Sequence, residues 1–324
     1  MNVLQVVRNA AAVAAMGAFL GGCGASQVPG TLGAAPADST AQQSVRSWIK
    51  PGSTSGDLLY VGGDSQSAGP TTFILTYPEG QLVGGIGMVS GGMCSDNSGN
   101  VYMTSRNAVI EYAHGGTTPI ATYRIPGAST YQCAVDSTTG NLAVTFDCPP
   151  CGYEDLAIFP QGSNTSTRYD APDAYTVTYD NQGDLFLAGY SGSQLAELPS
   201  GSSTFTTITL NQTISEPGQV QWDGTYVTLQ DLRSPGEIYR FSISGSAGTV
   251  VGETKFGRYM RRTNYSWISG STVALPFSVH GNQTNQLGIW NYPRGGKAIN
   301  IIKKIAVGDT GFGAITVSVS PSRK

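Results

Sequence analysis

"NSGNVYM" at residues 97–103, followed by "VIEYAHG" at residues 109–115, decides the fold of this chain. The first segment is a glycine turn that leads into β-branched and aromatic residues, and the second is a short alternating strand that ends in another turn. The first pattern recurs as "SGDLLYV" (55–61), "TTGNLAV" (138–144), "NQGDLFL" (181–187), "WDGTYVTL" (222–229) and "ISGSTVAL" (268–275). The second recurs as "ILTYPEG" (74–80), "LAIFPQG" (156–162), "LAELPSG" (195–201), "IYRFSISG" (238–245) and "LGIWNYPRG" (287–295).

The turn glycines of the first pattern are spaced 43, 41, 43, 41 and 46 residues apart, at Gly56, Gly99, Gly140, Gly183, Gly224 and Gly270. A period near 43 residues with several strands per unit is typical of a β-propeller. The sequence therefore predicts an all-β fold, a six-bladed β-propeller of four-stranded antiparallel blades. Coincidental strands in a β-sandwich are the alternative, but they do not account for the joint recurrence of both patterns.

The two ends of the repeat region complement each other. The unit at Gly56 lacks the strand that precedes the turn in the other units, and a surplus segment, "GFGAITVSVSP" at 311–321, follows the sixth. We therefore expect the ring to be closed by pairing of the N- and C-terminal strands, with residues near Ala314–Ser320 beside residues near Leu58–Val61. Closure of this kind removes the exposed sheet edges of an open array.

The pattern D-x-x-G-N-V-Y followed by I-x-x-Y resembles NHL-type and gluconolactonase-like six-bladed propellers, and also a group of repeat-bearing bacterial lipoproteins of unknown function. The likeness covers about residues 56–320. In hydrolytic members of that family, carboxylates and amides hold a divalent metal in the channel. Here Asp96, Asp136 and Asp180 recur just before the turn glycines, and this regularity favours a role in closing turns. No catalytic residue, metal ligand or cofactor is predicted.

The N-terminus has the pattern of a lipoprotein signal. Ala10–Leu20 is an uninterrupted apolar run, too short to cross a bilayer, and Leu20-Gly21-Gly22-Cys23 resembles the bacterial lipobox. We expect a signal peptide over 1–22, a lipidated Cys23 with a flexible tether over 23–55, and the propeller over 56–320. Trp48 and Ile49 of the tether are expected to dock onto the propeller. The predicted location is the bacterial cell envelope, anchored to the lipid bilayer and facing the periplasm or the exterior.

Charge and cysteine content bound the partners and the chemistry. Charged residues make up 12% of the chain and the net charge is −3, which argues against a nucleic-acid partner. Four cysteines remain after Cys23, an even number in a compartment where disulfides persist. Cys148 and Cys151 form a C-x-x-C without a following helix, which favours a local disulfide. For Cys94 and Cys133, in equivalent strands of neighbouring units, a second disulfide and buried thiols are both open.

The loops that link blades are long and polar, and loops on a rigid scaffold are where binding residues concentrate. The densest basic cluster lies in "GRYMRR" (257–262). The candidate ligand-binding residues are therefore Arg258, Tyr259, Arg261, Arg262 and His280, suited to an anionic small molecule, glycan or protein. His114 is expected to be a surface turn residue. Two functions remain, a binding or scaffold module and a metal-dependent hydrolase or lactonase. The first is favoured because no catalytic constellation is visible, which leaves the assignment as an enzyme uncertain.

Overall fold

The computed structural model describes residues 47–65, 69–88, 90–148, 155–171, 174–189, 191–233, 236–257, 260, 262–263, 265–279, 286–303, 305 and 309–321. They lie in a compact unit that spans Gln43–Lys324 and consists of strands joined by turns and loops. In this described part of the chain, no helix has the length and hydrophobicity needed to cross a membrane. The strands group into antiparallel meanders, numbered here in chain order.

Meander 1 begins with a short strand from the predicted tether. Its strands are β1 (Trp48–Ile49), β2 (Leu58–Ser65), β3 (Gly69–Thr76) and β4 (Leu82–Ile86). Strand β1 pairs with β4 on the outer edge, which confirms the docking of Trp48 and Ile49. Gly84 permits this approach, because a Cβ there would lie 2.6 Å from Ile49 Cδ1 and 2.9 Å from the Trp48 carbonyl oxygen.

Meanders 2 and 3 are separate four-stranded sheets whose strands pair in chain order. Meander 2 comprises β5 (Met93–Ser95), β6 (Val101–Ser105), β7 (Ala108–Tyr112) and β8 (Pro119–Arg124). Meander 3 comprises β9 (Ser129–Val135), β10 (Leu142–Asp147), β11 (Asp155–Phe159) and β12 (Thr167–Asp170).

Meanders 4 and 5 form the two halves of an eight-stranded sheet. Meander 4 comprises β13 (Thr176–Tyr179), β14 (Leu185–Ala188), β15 (Gln194–Leu198) and β16 (Thr206–Leu210). Meander 5 comprises β17 (Pro217–Trp222), β18 (Val227–Asp231), β19 (Glu237–Ser244) and β20 (Ala247–Lys255). Each half is antiparallel throughout, and the halves join by a short parallel pairing of Thr209 and Leu210 in β16 with Ala247 and Gly248 in β20.

Meander 6 has a divided first strand, since β21 and β22 both pair with β23. Its strands are β21 (Arg262–Thr263), β22 (Trp267–Ser269), β23 (Thr272–Ser278), β24 (Gln286–Asn291) and β25 (Asn300–Ile302). The last strand of the chain, β26 (Asp309–Ser318), returns to meander 1 and pairs antiparallel with β2.

The pairing of β26 with β2 matches the expected closure residue by residue. Leu58 lies opposite Ser318, and Val61 lies opposite Ile315. The first strands of successive meanders also contact one another in a ring, in the order β26, β5, β9, β13, β17, β22 and back to β26. The fold is therefore an all-β, propeller-like arrangement of four-stranded antiparallel sheets, closed by its two chain ends.

Each seam between neighbouring meanders holds its own apolar cluster. Between meanders 1 and 2, for example, Tyr60 and Ile74 pack with Met93 and Met103, all of them fully buried. Because both faces of a meander are covered by its neighbours, residues along a strand do not have to alternate between buried and exposed. In Leu185–Ala188, for example, all four residues are buried. The second strands are accordingly buried almost throughout, whereas the third strand of meander 5, β19, keeps a mixture of buried and exposed residues.

Candidate functional site

The first strands of the meanders start at the end of the ring that carries the inter-blade loops, called here the loop end. A cavity of about 130 Å³ lies there, lined by Gly91, Thr130, Tyr131, Gln132, Tyr175 and Tyr265. The rings of Tyr131 and Tyr175 have centroids 5.1 Å apart, and those of Tyr175 and Tyr265 are 6.1 Å apart. These tyrosines come from meanders 3, 4 and 6, so the ring closure brings them together. We call this group the tyrosine mouth.

A hydrogen bond between two buried amides forms the floor of the tyrosine mouth. Gln132 Nε2 donates to Gln219 Oε1 at 2.8 Å, from meander 3 to meander 5. The remaining amide groups are also bonded: the Cys133 N–H donates to Gln132 Oε1, and Gln219 Nε2 donates to the Val220 carbonyl. Both side chains are therefore held in place, so this part of the mouth is preorganised.

Below this floor the inner strands enclose a second cavity of about 130 Å³, lined among others by Cys94, Cys133, Trp222 and Trp267. Cys94 and Cys133 form a disulfide with a Cα–Cα distance of 5.6 Å, joining β5 to β9. Of the two alternatives left open by the sequence, the disulfide is therefore correct. Cys148 is disulfide-bonded as well, and its predicted partner Cys151 lies outside the described residues.

Most of the predicted ligand-binding residues also lie outside the described residues, namely Arg258, Tyr259, Arg261 and His280, as does Cys23. The backbone of Arg262 is described in β21, where it pairs with Ser278. Met260 is buried at 3% exposure and packs in the apolar cluster between meanders 5 and 6. This segment leads directly to Tyr265, so the basic loop and the tyrosine mouth are neighbours along the chain.

The repeated aspartates close the turns at the opposite end of the ring, called here the turn end. Asp96 Oδ1 accepts the N–H groups of Ser98 and Asn100. Asp180 Oδ1 accepts the N–H groups of Gln182 and Asp184. The predicted structural role of these aspartates is confirmed. Within the described ranges, no group of three or more His, Cys, Asp or Glu side chains is arranged to hold a metal ion.

His114 lies in a turn, as predicted, but it is half-buried and in contact with other meanders rather than a plain surface residue. Its Nδ1 lies 2.6 Å from Ser318 Oγ, and its Nε2 lies 3.1 Å from the carbonyl oxygens of Thr54 and Gly56. The residue therefore joins meander 2 to both chain ends of meander 1. Thr54 and Gly56 are more than 50 residues from His114 in the sequence, so no local pattern could have predicted these contacts.

The tyrosine mouth was not predicted, although the sequence contains a signal for it. Tyr131 and Tyr175 each precede the turn aspartate of their unit by the same interval, in "YQCAVD" and "YTVTYD". Tyr265 opens the corresponding segment "YSWIS" of meander 6. Residues at the same position of successive repeats lie at the same level of the ring. The regular spacing of these tyrosines therefore indicates that their side chains come close together.

Comparisons with solved structures support the fold. A protein of unknown function from Bacteroides caccae matches with a TM-score of 0.60 and 10% identity, covering 82% of this chain and 99% of that one. A chain of the nidogen/laminin complex gives 0.60 and 11%, with the same coverage. The β-propeller domain of Cps50 (Swd1) from Myceliophteria thermophila gives 0.53 and 11%, covering 83% and 90%. No protein-family profile and no curated protein sequence matches the chain. At these identities the likeness shows the propeller fold alone.

Proposed function

We propose that this protein is a binding or scaffold module of the bacterial cell envelope, anchored by lipid on Cys23, that uses the loop end of its ring. The convergence of Tyr131, Tyr175 and Tyr265 above the Gln132–Gln219 floor carries this proposal. Tyrosine provides a rigid apolar face and a polar hydroxyl at low entropic cost, which suits ligand contact. A pocket whose floor is already hydrogen-bonded needs little reorganisation when a ligand enters.

The ring is proposed to have six blades, of the NHL-type or gluconolactonase-like kind. The eight-stranded sheet divides at its parallel β16–β20 pairing into two antiparallel halves, each with the strand order of a separate blade. Apolar clusters fill the seams of meander 1 with meanders 2 and 6, and likewise those between all other neighbours. One cluster per seam is what a ring of six packed blades requires.

The proposed ligand is an anionic small molecule or glycan. Arg258, Arg261 and Arg262 supply guanidinium groups in the loop that precedes Tyr265, with Tyr259 and His280 as further contacts. Guanidinium groups form paired, charge-assisted hydrogen bonds with carboxylates. An acidic sugar would combine these bonds with stacking of its ring on the tyrosine mouth.

Binding is tested with the purified domain and a panel of acidic and neutral oligosaccharides, measured by calorimetry. Tyr175→Ala is expected to weaken binding about tenfold, the effect of losing a stacked ring. Tyr169→Ala is the matched control, because Tyr169 packs on Phe205 at an outer strand. An Arg261→Ala, Arg262→Ala double variant should lose acidic ligands selectively. Affinities that neither change alters, or calcium- or zinc-dependent turnover of a lactone, would contradict the proposal.

The anchor is tested separately by cell fractionation. Cys23→Ser removes the thiol that accepts the lipid, so the protein should move from the membrane to the soluble fraction. A single acyl chain holds a protein only marginally, so retention depends on the complete modification. A variant that stays in the membrane fraction as fully as the wild type would refute the anchor without bearing on the ligand site.

A further inference from the structure

A cleft of about 530 Å³ lies at the turn end, between meanders 2 and 3. Three aromatic rings line it: the centroids of Tyr102 and Tyr123 are 6.2 Å apart, and those of Tyr123 and Phe159 are 5.3 Å apart. Asp96, Glu111 and Asp136 add carboxylates to the same lining. Aromatic rings combined with carboxylates are the surroundings in which proteins recognise organic cations.

Glu111 is 8% exposed and carries its carboxylate into this cleft. Tyr102 Oη donates to Glu111 Oε1 at 3.2 Å, and Tyr123 Oη donates to Glu111 Oε2 at 2.8 Å. Tyr102 Oη also lies 3.4 Å from Asp96 Oδ2. A tyrosine hydroxyl has one proton, so it cannot serve both carboxylates at once. Among the described lining residues there is no Lys, Arg or His to compensate these charges.

Meander 5 shows what occupies the equivalent place. Glu111 lies across the strand pair from Tyr102, and Arg240 lies at the same register position across from Thr228. Asp223 corresponds to Asp96, since each follows the first strand and closes the next turn. Meander 5 therefore has an arginine where meander 2 has a glutamate.

Arg240 is bound by residues of the same chain. Arg240 Nε lies 2.7 Å from Asp223 Oδ2, and its guanidinium carbon lies 4.7 Å from the Tyr226 ring centroid and 5.8 Å from that of Tyr292. Tyr292 Oη donates to the same Asp223 oxygen at 2.6 Å. A carboxylate and aromatic rings at this level of the ring thus hold a guanidinium group within the chain.

We propose that the cleft between meanders 2 and 3 binds a guanidinium group supplied by a ligand. In meander 2 the intramolecular cation is replaced by a carboxylate, while the turn aspartate is retained and aromatic rings again line the cleft, although from other positions of the repeat. Asp96 Oδ2 accepts from Asn100 Nδ2 at 2.9 Å, and Glu111 accepts from Tyr102 and Tyr123, so the donors that face these carboxylates are neutral. A guanidinium group would donate to Asp96 and Glu111 together and add charge-assisted hydrogen bonds. Its flat face would meet the aromatic lining, as Arg240 meets Tyr226. This site is independent of the tyrosine mouth at the other end of the ring.

The test uses two guanidinium probes, agmatine and an arginine tripeptide with blocked ends. Butylamine is the control for agmatine, because it is a cation without a guanidinium group. The blocked glutamine tripeptide is the uncharged control for the arginine tripeptide. Binding is followed by amide chemical shifts in the purified domain. Shifts confined to the turns at 96–100 and 138–140 are expected with either guanidinium probe. Binding of agmatine alone would identify a free small molecule as the source, and binding of the peptide alone an arginine side chain. Equal binding of butylamine, or no shift with either guanidinium probe, would overturn the proposal.

Variants locate the site. Glu111→Gln is expected to weaken agmatine binding by about tenfold or more, because one charge-assisted contact is lost. Glu197→Gln is the matched control, since Glu197 occupies the same register position in meander 4 but lies opposite Phe186. Glu111→Arg should abolish binding by supplying the cation internally. Folding of each variant is checked by its melting temperature, and a folded Glu111→Arg protein that binds agmatine like the wild type would refute the site.

Discussion

His114 Nδ1 lies 2.6 Å from Ser318 Oγ, which bonds a turn of meander 2 to the last strand of the chain. The Ser318 hydroxyl in turn donates to the Gly99 carbonyl. Gly99 has a φ of +87°, and a Cβ there would clash with the Val319 carbonyl oxygen. The closure of meander 1 is therefore stabilised by its neighbour as well as by its own strand pairing.

The imidazole of His114 should contribute measurably to stability. His114→Ala removes the contacts of the imidazole with both chain ends. A neutral imidazole has a single N–H to donate, so the expected loss in the free energy of unfolding is that of one hydrogen bond, about 1 kcal/mol. Urea unfolding at neutral pH measures it, with Ser137→Ala in an exposed turn as the control. Equal unfolding midpoints for the two variants would show that these contacts contribute nothing to closure.

Removal of the closing strand should have a larger effect. Deleting residues 311–324 takes away most of β26 and leaves β2 and the seam with meander 6 uncovered. Unpaired edges and exposed apolar residues favour association, so we expect aggregation and a lowered melting temperature. Light scattering and calorimetry report the two effects. A monomeric truncated protein with the melting temperature of the full chain would contradict the closure described here.

The disulfide between the first strands of meanders 2 and 3 should stabilise the ring. Cys94 and Cys133 are 39 residues apart in sequence, and both are 1% exposed. Closing a loop of this length lowers the entropy of the unfolded chain by an amount worth about 2–4 kcal/mol. The Cys94→Ala, Cys133→Ala double variant should lose this amount in urea unfolding. The single variants are the control for disulfide mispairing. A single variant that loses far more unfolding free energy than the double variant would indicate that its remaining cysteine pairs with a wrong partner.

Acid should destabilise the protein partly through Asp223. Burial acts to raise the pKa of this carboxyl, but hydrogen bonds from Tyr292, the Tyr226 N–H and Arg240 outweigh it, so the pKa lies below the usual 3.8. Because folding lowers this pKa, the ionised Asp223 stabilises the folded state above about pH 4. This stabilisation is lost as the pH falls through the pKa of the folded protein.

Asp223→Asn should therefore lower stability at neutral pH by about 3 kcal/mol, as expected for an uncompensated partner, and flatten the decline below pH ~4. Unfolding free energies measured across this range give both quantities. An Asn variant whose stability falls with acid as steeply as that of the wild type would assign the effect to other carboxyls.

Alkali should destabilise the seams of meander 1 through two tyrosines. Burial raises the pKa of Tyr60 and of Tyr77 to about 12 each, with a bond from the Gly115 N–H and one to Thr272 as smaller opposing effects. Since these values exceed the usual 10.0, the stabilisation is complete below pH ~10 and is lost as pH rises through about 12.

The phenolate absorbance of the folded protein measures this directly. Tyr77→Phe should remove one late-titrating group and cost about 1 kcal/mol through the lost hydrogen bond to Thr272. A wild-type titration complete near pH 10 while the protein remains folded would show that these hydroxyls are accessible to water.

Much of the architecture could be predicted because its determinants are local. The turn at Asp96 is closed by N–H groups two and four residues ahead, and the same arrangement recurs at Asp180. Turn chemistry of this kind is legible in a short window of sequence, and its repetition at a regular period indicates the ring. The surplus strand at one end and the missing strand at the other predicted the closure of β26 on β2.

The sites depend on which side chains the ring brings together, and this only the tertiary structure decided. Gln132 and Gln219 are 87 residues apart and meet because their strands face one another across the ring. Glu111 and Arg240 occupy the same position of the repeat. Glu111 lines an open acidic cleft, whereas Arg240 forms an ion pair with Asp223 of its own meander. The sequence by itself determined the repeating unit, through turns and strands that form from neighbouring residues. The contents of each seam follow from contacts between distant repeats. The repeat position of Tyr131 and Tyr175 indicates that they share a level of the ring, but the side chains that they meet there depend on how the ring closes.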